Sequence, residues 1–194
     1  MKLPPPRRDS RVSVEKALRK RRTGYKFTKR PMSLAELAQL LWSAQGVTSS
    51  AGDRTAPSAG ALFPLETYAA VGSVSGLAPG SYRYIPDRHE IVQVRAGDRR
   101  RQLAGASVGQ RWMKHAPAII IFSAVYKRTT GEYDRWGIRY VHMEVGHAAQ
   151  NLALQAVALG MNTTMVGAFE DDKVKSLVGM SRQETPLYIV AIRR

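Results

Sequence analysis

The chain has no cysteine. Disulfides, cysteine-ligated zinc, iron–sulfur clusters and a thiol nucleophile are therefore excluded, and the composition suits a reducing cytoplasm, the expected location. Acidic residues are scarce, 15 against 30 Lys and Arg in 194 residues. Long hydrophobic runs are missing as well. APAIIIF at 116–122 is among the longest, and it falls well short of the roughly 18 to 20 residues that span a bilayer. The opening MKLPPPRRDS lacks the apolar centre of a signal peptide, so no membrane partner is expected. No G-x-G-x-x-G and no P-loop occurs, and Ser58 lacks the G-x-S-x-G setting of a hydrolase nucleophile. The histidines at 89, 115, 142 and 147 offer no metal-ligand spacing, so no metal is expected.

With 44% hydrophobic residues the chain can bury one sizeable core. The expected organisation is a basic, flexible N-terminal arm over 1–12 and a single domain over 13–194. The net charge of +15 is concentrated: residues 1–30 hold 12 Lys or Arg against Asp9 and Glu15. Such an arm could grip phosphates of a nucleic acid. No aromatic interleaving and no recognisable module accompanies it, so nucleic acid is not the expected partner. Solvated charge, or a small phosphorylated ligand at its C-terminal end, fits better.

The periodicity predicts a helix over 13–22, and a second after the capping-box pattern Ser33-Leu-Ala-Glu36, running to Gly46. Strands are expected at 66–71, 81–85, 90–94, 118–125 and 187–192, with a short one at 161–169 that turns at Gly167, and a helix at 171–178. The segment 136–159 predicts a long helix that is apolar almost all round from Val145 on. His147, Asn151 and Gln155, four apart, form a thin polar seam assigned mainly to packing and interface hydrogen bonds. A helix of this kind must be buried on both sides, and in so small a domain the expected second partner is another subunit, hence a homodimer. The fold class is α+β, a mixed β-sheet flanked by helices.

The stretch TAPSAGALFPLETY at 55–68 places Pro57, Ser58, Ala59 and Gly60 directly before a strand. Small residues let backbone approach something flat, although Ser58 could equally cap a helix start.

Arg21-Arg22-Thr23, Pro57-Ser58-Ala59-Gly60 before Leu62-Phe63-Pro64-Leu65-Glu66, Tyr140 with Glu144-Val-Gly146-His147 and Gln150-Asn151-Leu152, and Gly167-Ala168-Phe169 together resemble the nitroreductase family. Within it the resemblance is to the SagB-type branch, flavin-dependent dehydrogenases of thiazole/oxazole-modified peptide pathways. It implies an α+β homodimer with two FMN molecules at the subunit interface and the long central helix in that interface.

The resemblance further implies site roles. Pro57, Ser58 and Ala59 of one subunit would supply backbone and hydroxyl contacts to a flavin held mainly by the other. Arg21, Arg22 and Thr23 would contact the FMN phosphate and ring, a task for which guanidinium forks are suited; helix-end arginines favoured by the dipole are the plainer alternative. The family's further Arg near Tyr25 is missing, and Arg193 or Arg194 could replace it. Val166, Gly167 and Ala168 correspond to the turn that presents N–H groups near flavin N5, or else form a simple strand end. Hydride would pass from NADH or NADPH to a quinone, nitroaromatic or related acceptor. SagB-type azoline oxidisers carry a Lys-Tyr pair before the long helix; here the pair is Glu132-Tyr133, which keeps the catalytic Tyr133 and lacks the Lys. Glu132 could serve only if its surroundings raise its affinity for protons. A nucleic-acid-binding protein and a non-catalytic flavin-binding protein stand as alternatives from other classes.

Overall fold

The structure, a computed structural model, describes residues 1–24 and 30–193. Alternation within one strand organises it. In β6 (Ala118–Ala124) every residue is buried. Ile120 and Phe122 face one cluster, together with Leu37, Leu40 and Leu41 of α2 (Leu34–Gln45) and Val145, Ala148 and Leu152 of α5 (Trp136–Ala158). Ile119 and Ile121 face the other, together with Leu103 of α3 (Arg100–Ala106) and Val174 and Val178 of α6 (Asp171–Val178). A strand covered by helices on both faces has no polar side to show, which is why 118–124 reads as an unbroken apolar run. Each such Ile or Phe contributes roughly 1.5–3 kcal/mol by burial.

Around β6 the sheet has the order β5-β4-β2-β6-β8-β7, from β2 (Leu65–Val71), β4 (Gly80–Ile85), β5 (Glu90–Ala96), β7 (Asn162–Val166) and β8 (Thr185–Arg193). All of its pairings are antiparallel. Among the described residues parallel pairing is confined to a separate small sheet of β1 (Met32–Ser33) and β3 (Val74–Ser75), so the two senses of the expected mixed sheet are divided between two sheets. The capping box at the start of α2 is formed: the Ser33 N–H donates to Glu36 Oε2 at 2.8 Å and the Glu36 N–H to Ser33 Oγ at 3.2 Å.

The first residues of the expected arm are tied down. The Met1 ammonium donates to Ile91 O at 2.7 Å, the Leu3 N–H donates to His89 O at 3.0 Å, and Leu3 is 4% exposed. β5 is an edge strand with unpaired backbone groups, and the chain start satisfies some of them. Among the described residues, two α-helices have no counterpart in the sequence expectations, α3 and α4 (Lys127–Tyr133), and neither do the short strands β1 and β3. Among the described residues no helix is long and apolar enough to cross a membrane.

Candidate functional site

The loop between α2 and β2 is held from below by α5. Asn151 Nδ2 donates to Thr55 O at 2.9 Å, and Thr55 Oγ1 donates to Trp42 O at 3.2 Å. Gln155 Oε1 accepts from Gln39 Nε2 at 3.0 Å, so two members of the polar seam are used inside the chain, while His147 is exposed. Arg54, largely buried, donates to Gln45 Oε1 at 3.1 Å and sets its guanidinium 4.2 Å from the centre of the Phe63 ring. Arg128 of α4 clamps the exit of the loop, donating to Phe63 O at 3.0 Å and to Glu66 Oε1 at 2.6 Å.

Within this frame Pro57 is exposed and Ser58 and Ala59 are half-buried. Ser58 precedes a short 3₁₀ turn, Ala59–Ala61, but its side chain makes no capping bond there. Its Oγ instead accepts the Phe63 N–H at 3.0 Å. Glu144, on α5, is 3% exposed. Burial pushes its carboxyl up to about 7, against the opposing pull of the Ser58 hydroxyl and the Arg54 charge. Its Oε1 is buried without a hydrogen-bond partner, as is Arg54 Nε. Neither residue was expected to matter by itself; the available signal was a carboxylate on the apolar stretch of the long helix.

Tyr133 ends α4 and lies over the same loop. Its ring meets Tyr140 edge-on at 5.3 Å, and a Cβ on Gly60, which has φ +60°, would stand 2.8 Å from its hydroxyl. Ala61 (φ 52°), Phe63 (φ 43°) and Asp134 (φ 46°) also occupy the left-handed region. Backbone strain of this kind costs on the order of 1–3 kcal/mol per residue and persists where surrounding contacts impose it. Glu132, by contrast, is exposed. The buried carboxyl near the loop is Glu144.

The second group lies at the sheet edge. Arg21 follows the last residue of α1 (Val14–Lys20), Arg22 and Thr23 are exposed, and Arg22 Nη1 donates to Arg21 O at 2.7 Å. Thr164 Oγ1 of β7 donates to Gly24 O at 2.6 Å, which fixes this segment to the edge strand. Arg193, 9% exposed, packs its guanidinium against Gly24. Arg194 lies outside the described residues. Asn162 pairs with Arg193 and Val166 with Ile189. The turn of Val166, Gly167 and Ala168 therefore begins four residues along the same edge, about 13 Å away. Gly167 and Ala168 are exposed, and Ala168 O accepts from the Val108 N–H at 3.0 Å.

The expected residues thus form two groups: Pro57–Ala59 with Tyr133, and Arg21–Thr23 with Arg193 and the 166–168 turn. β2 and β7 are three strand spacings apart in the sheet, about 14 Å.

The nitroreductase family model matches residues 18–192. A Methanocaldococcus jannaschii protein with a provisional nitroreductase name is 42% identical over 183 residues, 94% of this chain and 91% of that protein. A solved structure from Ralstonia eutropha, provisionally named a nitroreductase, superposes with a TM-score of 0.87 at 27% identity, over 100% of this chain and 88% of its own. The Escherichia coli microcin synthetase McbBCD complex (TM-score 0.79, 21% identity, 89% and 68% covered) shares the fold. So does the NADPH:FMN oxidoreductase of Vibrio harveyi complexed with NAD+ (TM-score 0.67, 16% identity, 93% and 68% covered). With a family match that runs from α1 to β8 and a relative more than two-fifths identical, the chain belongs to the nitroreductase family of oxidoreductases.

Proposed function

We propose that the chain is an FMN-dependent oxidoreductase that works as a cytoplasmic homodimer, taking reducing equivalents from NADH or NADPH and passing them to a quinone, nitroaromatic or related acceptor. The observation that carries this reading is the gathering of Arg193 against Gly24, beside Arg21 and Arg22, at one end of an edge whose other end is the exposed 166–168 turn. That arrangement fits a long ligand with an anionic end. The guanidinium groups would hold the phosphate by charge-assisted hydrogen bonds, and Thr23 adds a hydroxyl. When bound, FMN supplies hydride acceptance and donation at its N5 atom. The N–H groups of the turn need no side chain to stabilise negative charge developing there.

Pro57, Ser58 and Ala59 of one subunit would lie against the ring held by the other, which explains why the two groups sit on different strands of one chain. Gly60 leaves room for the Tyr133 hydroxyl over that loop. The exposed Trp136, Ile138 and Met143 of α5 give the second subunit an apolar surface to cover. The first test is the absorption spectrum of the purified protein reconstituted with FMN, followed by NADH and NADPH oxidation with menadione as acceptor. Retention of oxidised flavin bands after desalting, with turnover, supports the reading; a colourless protein that cannot be reconstituted overturns it.

A second reading, an azoline dehydrogenase acting on peptides, draws on the position of Tyr133 and on the fold shared with the microcin synthetase. The exposed Glu132 in place of Lys speaks against it.

A further inference from the structure

The basic arm at the start of the chain is held at successive points, and its arginines are held with it. Met1 and Leu3 hydrogen-bond Ile91 and His89, and His89 Nε2 donates to Pro4 O at 2.9 Å. Gln39 of α2 then grips Arg7 from both sides: its Oε1 accepts the Arg7 N–H at 2.7 Å and its Nε2 donates to Arg7 O at 3.0 Å. Gln39 is 5% exposed and its Nε2 also donates to Gln155 Oε1 of α5, so the grip is anchored in the body of the fold. Beyond it the chain bends at Arg8 and again at Arg11 and Val12. Local bonds stabilise these bends, since Asp9 Oδ1 accepts the Ser10 N–H at 2.7 Å and Ser10 Oγ accepts the Val12 N–H at 2.9 Å. Arg7, Arg8 and Arg11 therefore border a cavity instead of following one another along a straight tail.

That cavity, of about 670 Å³, lies between the arm and the packed helices, with Trp42 of α2 and Gln155 of α5 on its inner wall. Its size is that of a small-molecule pocket, roughly 300–1,000 Å³. Among the described residues none of the three guanidinium groups forms an ion pair, and Asp9 is the only carboxylate that lines the cavity. The excess positive charge there has no counter-charge in the chain. Trp42 is half-buried and its indole is fixed: Nε1 donates to Val47 O at 3.3 Å, and a Cβ on Gly46 would collide with Cδ1. Guanidinium forks suit phosphate oxygens, and a fixed aromatic ring is a platform on which a flat base can stack. We propose that this cavity binds a nucleoside diphosphate, with the phosphates on Arg7, Arg8 and Arg11 and the base against Trp42. The site is separate from the group of Arg21, Arg22 and Arg193, and it does not rest on the flavin reading. A cavity backed by α2 and α5 takes a single nucleotide, whereas a polynucleotide needs an open groove that tracks its backbone.

The test is calorimetric titration of the full chain, in saturating FMN, with ADP and UDP, set beside adenosine, which lacks the phosphates, and pyrophosphate, which lacks the base. At least one of the two diphosphates should bind, and roughly tenfold or more tightly than adenosine or pyrophosphate. R7A, R8A and R11A, at exposed positions, should each weaken that binding by roughly tenfold or more, the loss of a charge-assisted hydrogen bond. W42L should weaken the nucleotide and leave pyrophosphate unchanged; should W42L fail to fold, the arginine variants decide alone. FMN affinity, titrated separately, should be equal in the parent and the three arginine variants. Failure of both ADP and UDP to bind, unchanged nucleotide affinity in all three arginine variants or in folded W42L, or pyrophosphate binding as tight as the nucleotide overturns the proposal. So does a matching loss of FMN affinity, which would merge the two sites. A single-stranded oligonucleotide that binds more tightly than ADP and displaces it also overturns the proposal, because the arginines would then belong to a nucleic-acid surface. A parent that binds ADP through these arginines but no FMN defeats the cofactor reading and leaves this one standing.

Discussion

The Arg193 guanidinium fills the space in which a side chain at position 24 would begin: a Cβ on Gly24 would stand 2.5 Å from Nη2 and 2.8 Å from Cζ. The last described residue of β8 and the segment after α1 therefore meet through a glycine, and the guanidinium is the movable partner. Gly24→Ala should displace Arg193 and leave the fold intact. If Arg21, Arg22 and Arg193 hold a phosphate, replacing any one by Ala removes a charge-assisted bond of about 1.5–3 kcal/mol, roughly 10- to 150-fold in the FMN dissociation constant. Riboflavin, which lacks the phosphate, should bind parent and variants alike. Fluorescence titration with both ligands checks this, and an equal loss for riboflavin would place these arginines elsewhere.

Gly60 and Tyr133 share the second close approach. An alanine at 60 would carry the left-handed backbone penalty, about 1–2 kcal/mol, and would press on the Tyr133 hydroxyl at 2.8 Å. Tyr133→Phe removes that oxygen. Gly60→Ala should therefore cost less in the Tyr133→Phe background than in the parent, with a coupling on the order of 0.5–3 kcal/mol. Thermal melts of the four proteins measure it; additive costs would show that the hydroxyl does not rest on the loop.

Much of this was legible because local signals agreed with tertiary ones. The capping box at Ser33 and Glu36 marks the start of α2, and the uninterrupted apolar run at 118–124 marks a strand covered on both faces. α3 and α4 escaped for the opposite reason. RRQLAGA is made of good helix formers apart from Gly105, but seven residues are too few to display a helical apolar period, and KRTTGEY puts Thr-Thr-Gly in its middle, against propensity; burial of Leu103, Ala104, Ala106 and Thr129 decides in favour of both. The order of the site segments was readable from the motifs. That Glu144 lies buried near Arg54 was not, because it depends on which face of α5 meets the loop.

The long helix separates two residues that look equivalent in sequence. Leu152 is 0% exposed, in the core of its own subunit, whereas Leu154 is half-exposed and Met143 is 52% exposed. Leu152→Glu should unfold the subunit, since an unpaired buried charge costs several kcal/mol. Met143→Glu or Leu154→Glu should leave the subunit folded and, if α5 joins two copies, shift sedimentation toward a monomer that has lost FMN. A parent protein that sediments as a flavin-loaded monomer would rule out this interface.

The choice between acceptors turns on Glu132 and Tyr133, neighbours at the end of α4 with different surroundings. Glu132 is exposed, while Tyr133 is half-buried, packs edge-on against Tyr140 and reaches the Gly60 backbone. Removing a proton beside a heterocycle needs a base whose proton affinity suits the task, held within reach of the carbon it deprotonates. Glu132 is exposed to solvent at the end of α4, whereas the buried carboxyl near the loop is that of Glu144 on α5. The chain should therefore oxidise NADH or NADPH with a quinone as acceptor and leave a thiazoline or oxazoline peptide unchanged. Glu132→Lys should change the quinone activity by no more than a few-fold, because hydride transfer asks for stacking geometry rather than for a base. Tyr133→Phe is the companion variant, since it removes the one proton-bearing side chain that the pair places over the loop. Mass spectrometry of an azoline peptide incubated with the unmodified protein decides the matter: loss of the mass of two hydrogens would reverse the assignment and make Tyr133, without a lysine beside it, sufficient for ring oxidation.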